Sequence, residues 1–279
     1  MRLITHILAI LSLSPLVHAQ DRNANFFSHE KEAALGSQLA DQVRHNSTPL
    51  GFPKVENYVT NVGLRLAAQM PDASENWKFA VITDRQMGST HEPLSLPGGW
   101  IFVPAQLILA AHGEAEFAGM LAHAMAHVSK RQMIRQARPA SSLAAIPLLF
   151  LGRPVGLGGD DENQLVSAGY VQIQRQFEME ADQVAVKAMG GAGFDPDSLL
   201  NYIERTQPRS AESDFSQLPP LAIRVSNLRR SIQDSPAAEP AIVSTDLFQS
   251  IQDAVRHELL AIPTPKTAHK VPSLLHPDN

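Results

Sequence analysis

Two histidines spaced four residues apart, His123 and His127, lie inside a run from Glu114 to Lys130 that reads as one apolar helix. Phe117, Met120, Leu121, Ala124 and Val128 recur at the three-and-four spacing of a buried stripe, uninterrupted by Gly or Pro after Gly119. Side chains at i and i+4 share a helical face, so both imidazoles can reach one metal ion. Taken alone, the spacing also fits two structural histidines. A second stretch, Arg175 to Asp182, favours the metal. It lies in another helical pattern, with Ile173, Phe177, Val184, Ala185 and Ala188 as the apolar stripe, and it presents Glu178 and Asp182 on one face. A carboxylate from a second helix completes a His₂Glu zinc site with a fourth position left to water. An aspartate one turn later can orient a ligating imidazole. Paired polar features on two otherwise apolar helices do not read as solvated faces.

In the H-E-x-x-H signature of zinc proteases, the residue after the first histidine is the glutamate that takes the proton from metal-bound water. Here it is Ala124. Glu116 shares the helical face of His123 but stands nearly two turns away, roughly 10 Å along the axis, so it reads as support rather than as a replacement base. Glu180 points away from Glu178. No substitute base is evident.

From about residue 27 to about 230 the chain resembles the gluzincin metallopeptidases that include the HtpX heat-shock protease, the CaaX prenyl protease and their soluble periplasmic relatives. The resemblance rests on Ser28 to Gly36, on the strand-like Leu96-Pro97-Gly98-Gly99-Trp100-Ile101-Phe102-Val103, on the histidine helix, on Glu178 to Asp182 and on Gly193-Phe194-Asp195-Pro196, in that order. It implies an α+β fold: a mainly helical zincin-type domain with a small β-sheet beside the metal-binding helix. It implies Zn²⁺ held by His123, His127 and Glu178, with Asp182 behind them, and Gly98, Gly99, Trp100 and Arg224 as candidates to line the substrate cleft. It also implies that the strand at about Gly99 to Val103 receives extended substrate by β-addition, while its residues fit an ordinary core strand equally well. Two family positions are altered. The base glutamate falls on Ala124, and a family histidine before Pro219 falls on Leu218. Losing two catalytic groups to apolar residues, with every ligand retained, points to natural decay of the chemistry rather than of metal binding.

Composition narrows the remaining possibilities. Of 279 residues, 44% are hydrophobic, enough for a packed core. The net charge is −5 and the basic residues are scattered, which argues against nucleic acid as a partner. Cysteine is absent, excluding disulfides, thiolate zinc sites and a lipoprotein anchor. Met1 to Ala19 reads as a cleaved secretory signal, with Arg2, an apolar stretch from Leu3 to Leu16 and Val17-His18-Ala19 at the cut. The apolar run is short for a membrane span. Residues 20–234 are expected to form the peptidase-like domain. Residues 235–279 are expected to form a linker, an amphipathic helix from Thr245 to Leu260 with Phe248, Ile251 and Val255 inward, and a Pro-rich tail. Leu143 to Leu151 followed by the Gly-rich 152–161 reads either as a flap over the cleft or as a short buried helix.

The expected protein is an exported, periplasmic or extracellular member of a zinc metalloendopeptidase family, with polypeptide as substrate or client and weak or no proteolysis. The alternative is an inactive pseudopeptidase that binds peptide as a chaperone-like or regulatory module.

Overall fold

The structure, a computed structural model, describes residues 28–71, 76–83, 92–136, 168–214, 216–235 and 240–261. The leader 1–19, the 143–161 segment and the tail beyond residue 261 lie outside the described residues.

Helix α4 (Glu114–Ser129) has neighbours on every side, and all its residues except His127 are buried. A helix apolar around its whole circumference must be central. The chain before it supplies α1 (His29–Asn46), α2 (Pro53–Ala67), β1 (Lys78–Ile82), β2 (Leu94–Leu96), β3 (Trp100–Pro104) and the short α3 (Ala105–Ala110). After it come α5 (Gln132–Gln136), α6 (Ala168–Gly191), α7 (Asp197–Thr206), a short 3₁₀ turn at Arg209–Glu212, α8 (Leu221–Asp234) and α9 (Asp246–Ala261). The fold is therefore α+β, mainly helical, with one small sheet. α4 packs most closely along α6, and also meets α7, α2 and β2. Gly119 permits that approach: a Cβ there would stand 3.0 Å from Leu199 Cβ and 3.2 Å from Met189.

Local signals account for most element ends. Ser28 caps α1 by accepting from Lys31 N at 3.4 Å. Gly193, at φ +78°, ends α6, and Phe194 N donates back to Met189 O at 2.9 Å. Asp195 receives Asp197 N at 3.2 Å and so starts α7.

The sheet order is β1-β3-β2, with β1 parallel and β2 antiparallel to β3. This corrects the expectation that β3 takes extended substrate. β3 is the central strand and both its edges are already hydrogen-bonded. The edge strand packed against α4 is β2. The turn between them uses Gly98 and Gly99 at φ +71° and +83°, values that favour glycine.

Helix α9 belongs to the main core. Phe248, Ile251 and Val255 are fully buried, and the Phe248 ring lies 6.1 Å from Tyr58 and 6.0 Å from Phe117. The segment before it supports α4 directly, because Ala115 N donates to Val243 O at 3.0 Å. Deleting a buried aromatic side chain typically costs about 3–5 kcal/mol. Phe248→Ala should destabilise the whole domain by about that much in urea unfolding, and a loss under about 1 kcal/mol would mean that α9 is merely appended.

Candidate metal centre

The site is built on α4. His123 is fully buried and His127 mostly so, and their rings meet nearly perpendicular with centroids 4.7 Å apart. Each ring has an acceptor at Nδ1. His123 Nδ1 stands 2.8 Å from Asp182 Oδ1, a carboxylate that favours a proton on that nitrogen. His127 Nδ1 faces Gln132 Oε1 at 2.5 Å. The Gln132 amide cannot turn around, because its nitrogen donates to Phe177 O at 3.2 Å and to Glu180 Oε2 at 3.3 Å. With Nδ1 protonated, an imidazole that gives up its second proton to a metal presents a lone pair on Nε2. Those two Nε2 atoms lie 3.0 Å apart.

Helix α6 brings the carboxylates. Glu178 Oε2 is 3.4 Å from His123 Nε2, and Glu178 Oε1 is 3.6 Å from His127 Nε2. Glu178 Oε2 is buried without a hydrogen-bond partner among the described residues. Behind it, Arg224 of α8 grips Asp182 with two hydrogen bonds, Nε to Oδ2 at 2.7 Å and Nη2 to Oδ1 at 2.9 Å. Burial opposes charge on Asp182, but the Arg224 cation and its hydrogen bonds, with His123, hold that carboxyl well below its usual range. Burial likewise opposes charge on Glu178, and the His123 contact with the charges of His127 and Arg224 holds its pKa down at about 2.

Besides Gln132, the structure adds a metal-facing residue that sequence reasoning missed. Glu92, just before β2, places Oε1 at 3.3 Å from His123 Nε2 and 3.9 Å from His127 Nε2. Glu92, His123, His127 and Glu178 each offer one ligand atom, and these four atoms lie within 4.8 Å of one another. Nothing periodic marks Glu92. Its only sequence signal is its place directly ahead of the strand beside the histidine helix.

The other anticipated residues fall elsewhere. Ala124 is fully buried on α4 and carries no group for proton transfer. Glu116 is engaged at the far end of α4, accepting from His112 N at 2.7 Å and pairing with Arg205. Glu180 receives Arg135 at 2.8 Å and holds Gln132. Leu218 is half-buried in the segment leading to α8. Arg224, a cleft candidate, is buried behind the cluster at 5% exposure. Gly98 lies under α1, where a Cβ would press on Ala33 Cα at 2.8 Å, and Trp100 sits beneath the Arg44 guanidinium at 4.2 Å from its ring centroid. Ile173, assigned to the apolar stripe of α6, is 47% exposed.

The donor set fits zinc. Nitrogen and carboxylate oxygen are its ordinary ligands. Burial would lower the His123 pKa, yet Asp182, Glu178 and Glu92 together raise it well above the ordinary value. The cluster therefore draws positive charge. A proton on His123 Nε2 can serve one of the acceptors around it, whereas a metal ion serves all of them.

Residues 53–232 match Peptidase family M48. A Vibrio cholerae protein described as a beta-barrel assembly-enhancing protease is 28% identical over 201 residues, 68% of this chain and 40% of that one. The beta-barrel assembly-enhancing protease of Yersinia pestis is 24% identical over 195 residues, 66% of this chain and 39% of the relative. Mitochondrial metalloendopeptidase OMA1 of Schizosaccharomyces pombe is 29% identical over 149 residues, 53% and 43% of the two chains. This chain spans well under half the length of each of these relatives.

Arg224 neutralises buried charge that has no other partner of its strength. Removing one member of a buried ion pair costs about 3–5 kcal/mol. Arg224→Met should lower unfolding free energy by about that amount in the presence of a chelator, where metal binding cannot contribute. Arg224→Lys should recover only part of it, because an ammonium cannot reproduce the two-pronged contact. Equal stability of all three proteins would refute the arrangement.

Proposed function

The chain belongs to Peptidase family M48, and on that premise we propose that it is an exported protein binding one zinc ion through His123, His127 and Glu178. It acts on polypeptide and cleaves weakly or not at all. The observation that supports zinc is the pair of Nε2 lone pairs 3.0 Å apart, each fixed by an acceptor on the other side of its ring and joined by Glu178. Zinc at such a site polarises a peptide carbonyl and acidifies water. The chain's own residues hold the imidazole tautomers through Asp182 and Gln132 and keep Glu178 charged. No residue of α4 takes up a proton where the family's glutamate would, because Ala124 stands there.

That same residue favours a second reading, a pseudopeptidase that binds extended or unfolded polypeptide as a chaperone-like or regulatory module. Edge strand β2 beside α4 is the element to which such a chain would add, through main-chain hydrogen bonds. The relatives' names tie two of them to β-barrel assembly, so an extended, strand-forming polypeptide is the client we propose. Export rests on the leader at Met1 to Ala19. Among the described residues, no helix is long and apolar enough to cross a membrane.

Elemental analysis of the purified full chain should give about one zinc per molecule, and His123→Ala should abolish it. No zinc in either protein would remove the metallopeptidase-type reading. With zinc present, cleavage of unfolded casein should run about 10²–10⁴-fold below that of a relative with an intact H-E-x-x-H motif, the usual worth of a general base. Comparable rates would show that the chemistry is intact.

A further inference from the structure

We infer that Glu92 is a fourth protein ligand to the metal, so that the site is closed where the family chemistry needs an open position. The inference rests on the zinc reading above and goes beyond it. Zinc bonds to imidazole nitrogen and carboxylate oxygen are about 2.0–2.2 Å long, so the ligand atoms of a tetrahedral site stand about 3.4 Å apart. Glu92 Oε1 lies 3.3 and 3.9 Å from the two Nε2 atoms. Glu178, the expected ligand, lies 3.4 and 3.6 Å from them. The two carboxylates reach the same point from two different segments of the chain.

Glu92 thus approaches the two imidazoles about as closely as Glu178 does. Among the described residues the ion-pair contacts of Glu92 are the two imidazoles.

The position it takes is the outward one. Its side chain is 32% exposed, against 18% for His127, 14% for Glu178 and 0% for His123. Buried ligands form the floor and Glu92 forms the lid. A site with three protein ligands keeps a position for water and substrate, whereas one with four is characteristic of structural zinc. Like charges gathered this closely also need the cation. Arg224 grips Asp182 with two hydrogen bonds and reaches Glu178 Oε2 at 3.5 Å, while the carboxylates of Glu92 and Glu178 both converge on the two Nε2 atoms.

The test uses the full chain loaded with Co²⁺, whose visible bands report ligand number and exchange, alongside a zinc titration against a chromophoric chelator. Azide, a small anion that occupies an open position, is then added. The wild-type spectrum should not change, while Glu92→Ala should give azide-dependent bands. Altering groups that merely orient ligands already costs 10–100-fold in metal affinity, so both Glu92→Ala and Glu92→Gln should weaken zinc binding by about 100-fold. Glu92→Gln preserves side-chain shape, and thermal melting of the metal-free proteins checks that each variant folds. A wild-type spectrum that responds to azide as Glu92→Ala does, or unchanged zinc affinity in both variants, overturns the inference while leaving the three-ligand site standing. Failure of the wild type to bind either metal better than His123→Ala brings down the zinc reading and the inference together.

Discussion

The site depends on where two protons sit. Asp182 and Gln132 place acceptors against the Nδ1 atoms of His123 and His127, which turns both Nε2 lone pairs toward the same point. Neither acceptor is free to change. Asp182 is gripped by Arg224, and the Gln132 amide is fixed by Phe177 O and Glu180. Glu180 in turn holds Arg135. A chain of partners thus runs from two imidazoles out to the surfaces of α5, α6 and α8, and each link removes a conformational choice from the link before it.

Burial makes that chain necessary. A charged group inside a protein is tolerated only when paired and hydrogen-bonded, and α4 lies at the centre of the fold with almost nothing exposed. The Coulomb attraction of Arg224 outweighs the desolvation of Asp182, so the carboxylate keeps its charge where burial alone would have protonated it. The remaining carboxylates, Glu92 and Glu178, converge on the two Nε2 atoms, the point one metal ion would serve. Gly119, which admits α7 and Met189 against α4, and α9, which packs Phe248 between Tyr58 and Phe117, supply the rigidity that keeps this place from collapsing.

Much of this was legible in residue spacing, because helix periodicity is local. The run Glu114 to Lys130 reads as the helix that forms over Glu114–Ser129, and Phe248, Ile251 and Val255 read as the inward face they present. What spacing could not convey was pairing between distant segments. The order of the sheet is one case. Whether β3 is an edge or a centre is settled by β1 and β2 flanking it, and neither fact is visible within Trp100 to Pro104. Glu92 is another, since a single carboxylate in a loop has no period. The motif marks Arg224, but its direction, inward to Asp182 rather than toward a cleft, follows from how α8 lies on α6. Gln132 was not noticed at all, because glutamine at the start of a short helix is unremarkable until its amide is seen wedged between a ring and two acceptors.

Loss of the base at Ala124 and gain of a ligand at Glu92 have one physical logic. On the proposed reading, with Ala124 in place of a proton acceptor, an open coordination position would give little rate, yet the two Nε2 atoms and Glu178 still suit a cation. A second carboxylate as fourth ligand would satisfy that requirement more fully than water does, at no cost in activity that the missing base would not already have imposed. It also ties the segment entering β2 to α4 and α6, making metal binding part of folding. The edge strand beside the metal helix would then be held in place by the ion itself, which suits the proposed reading in which an extended chain adds to it.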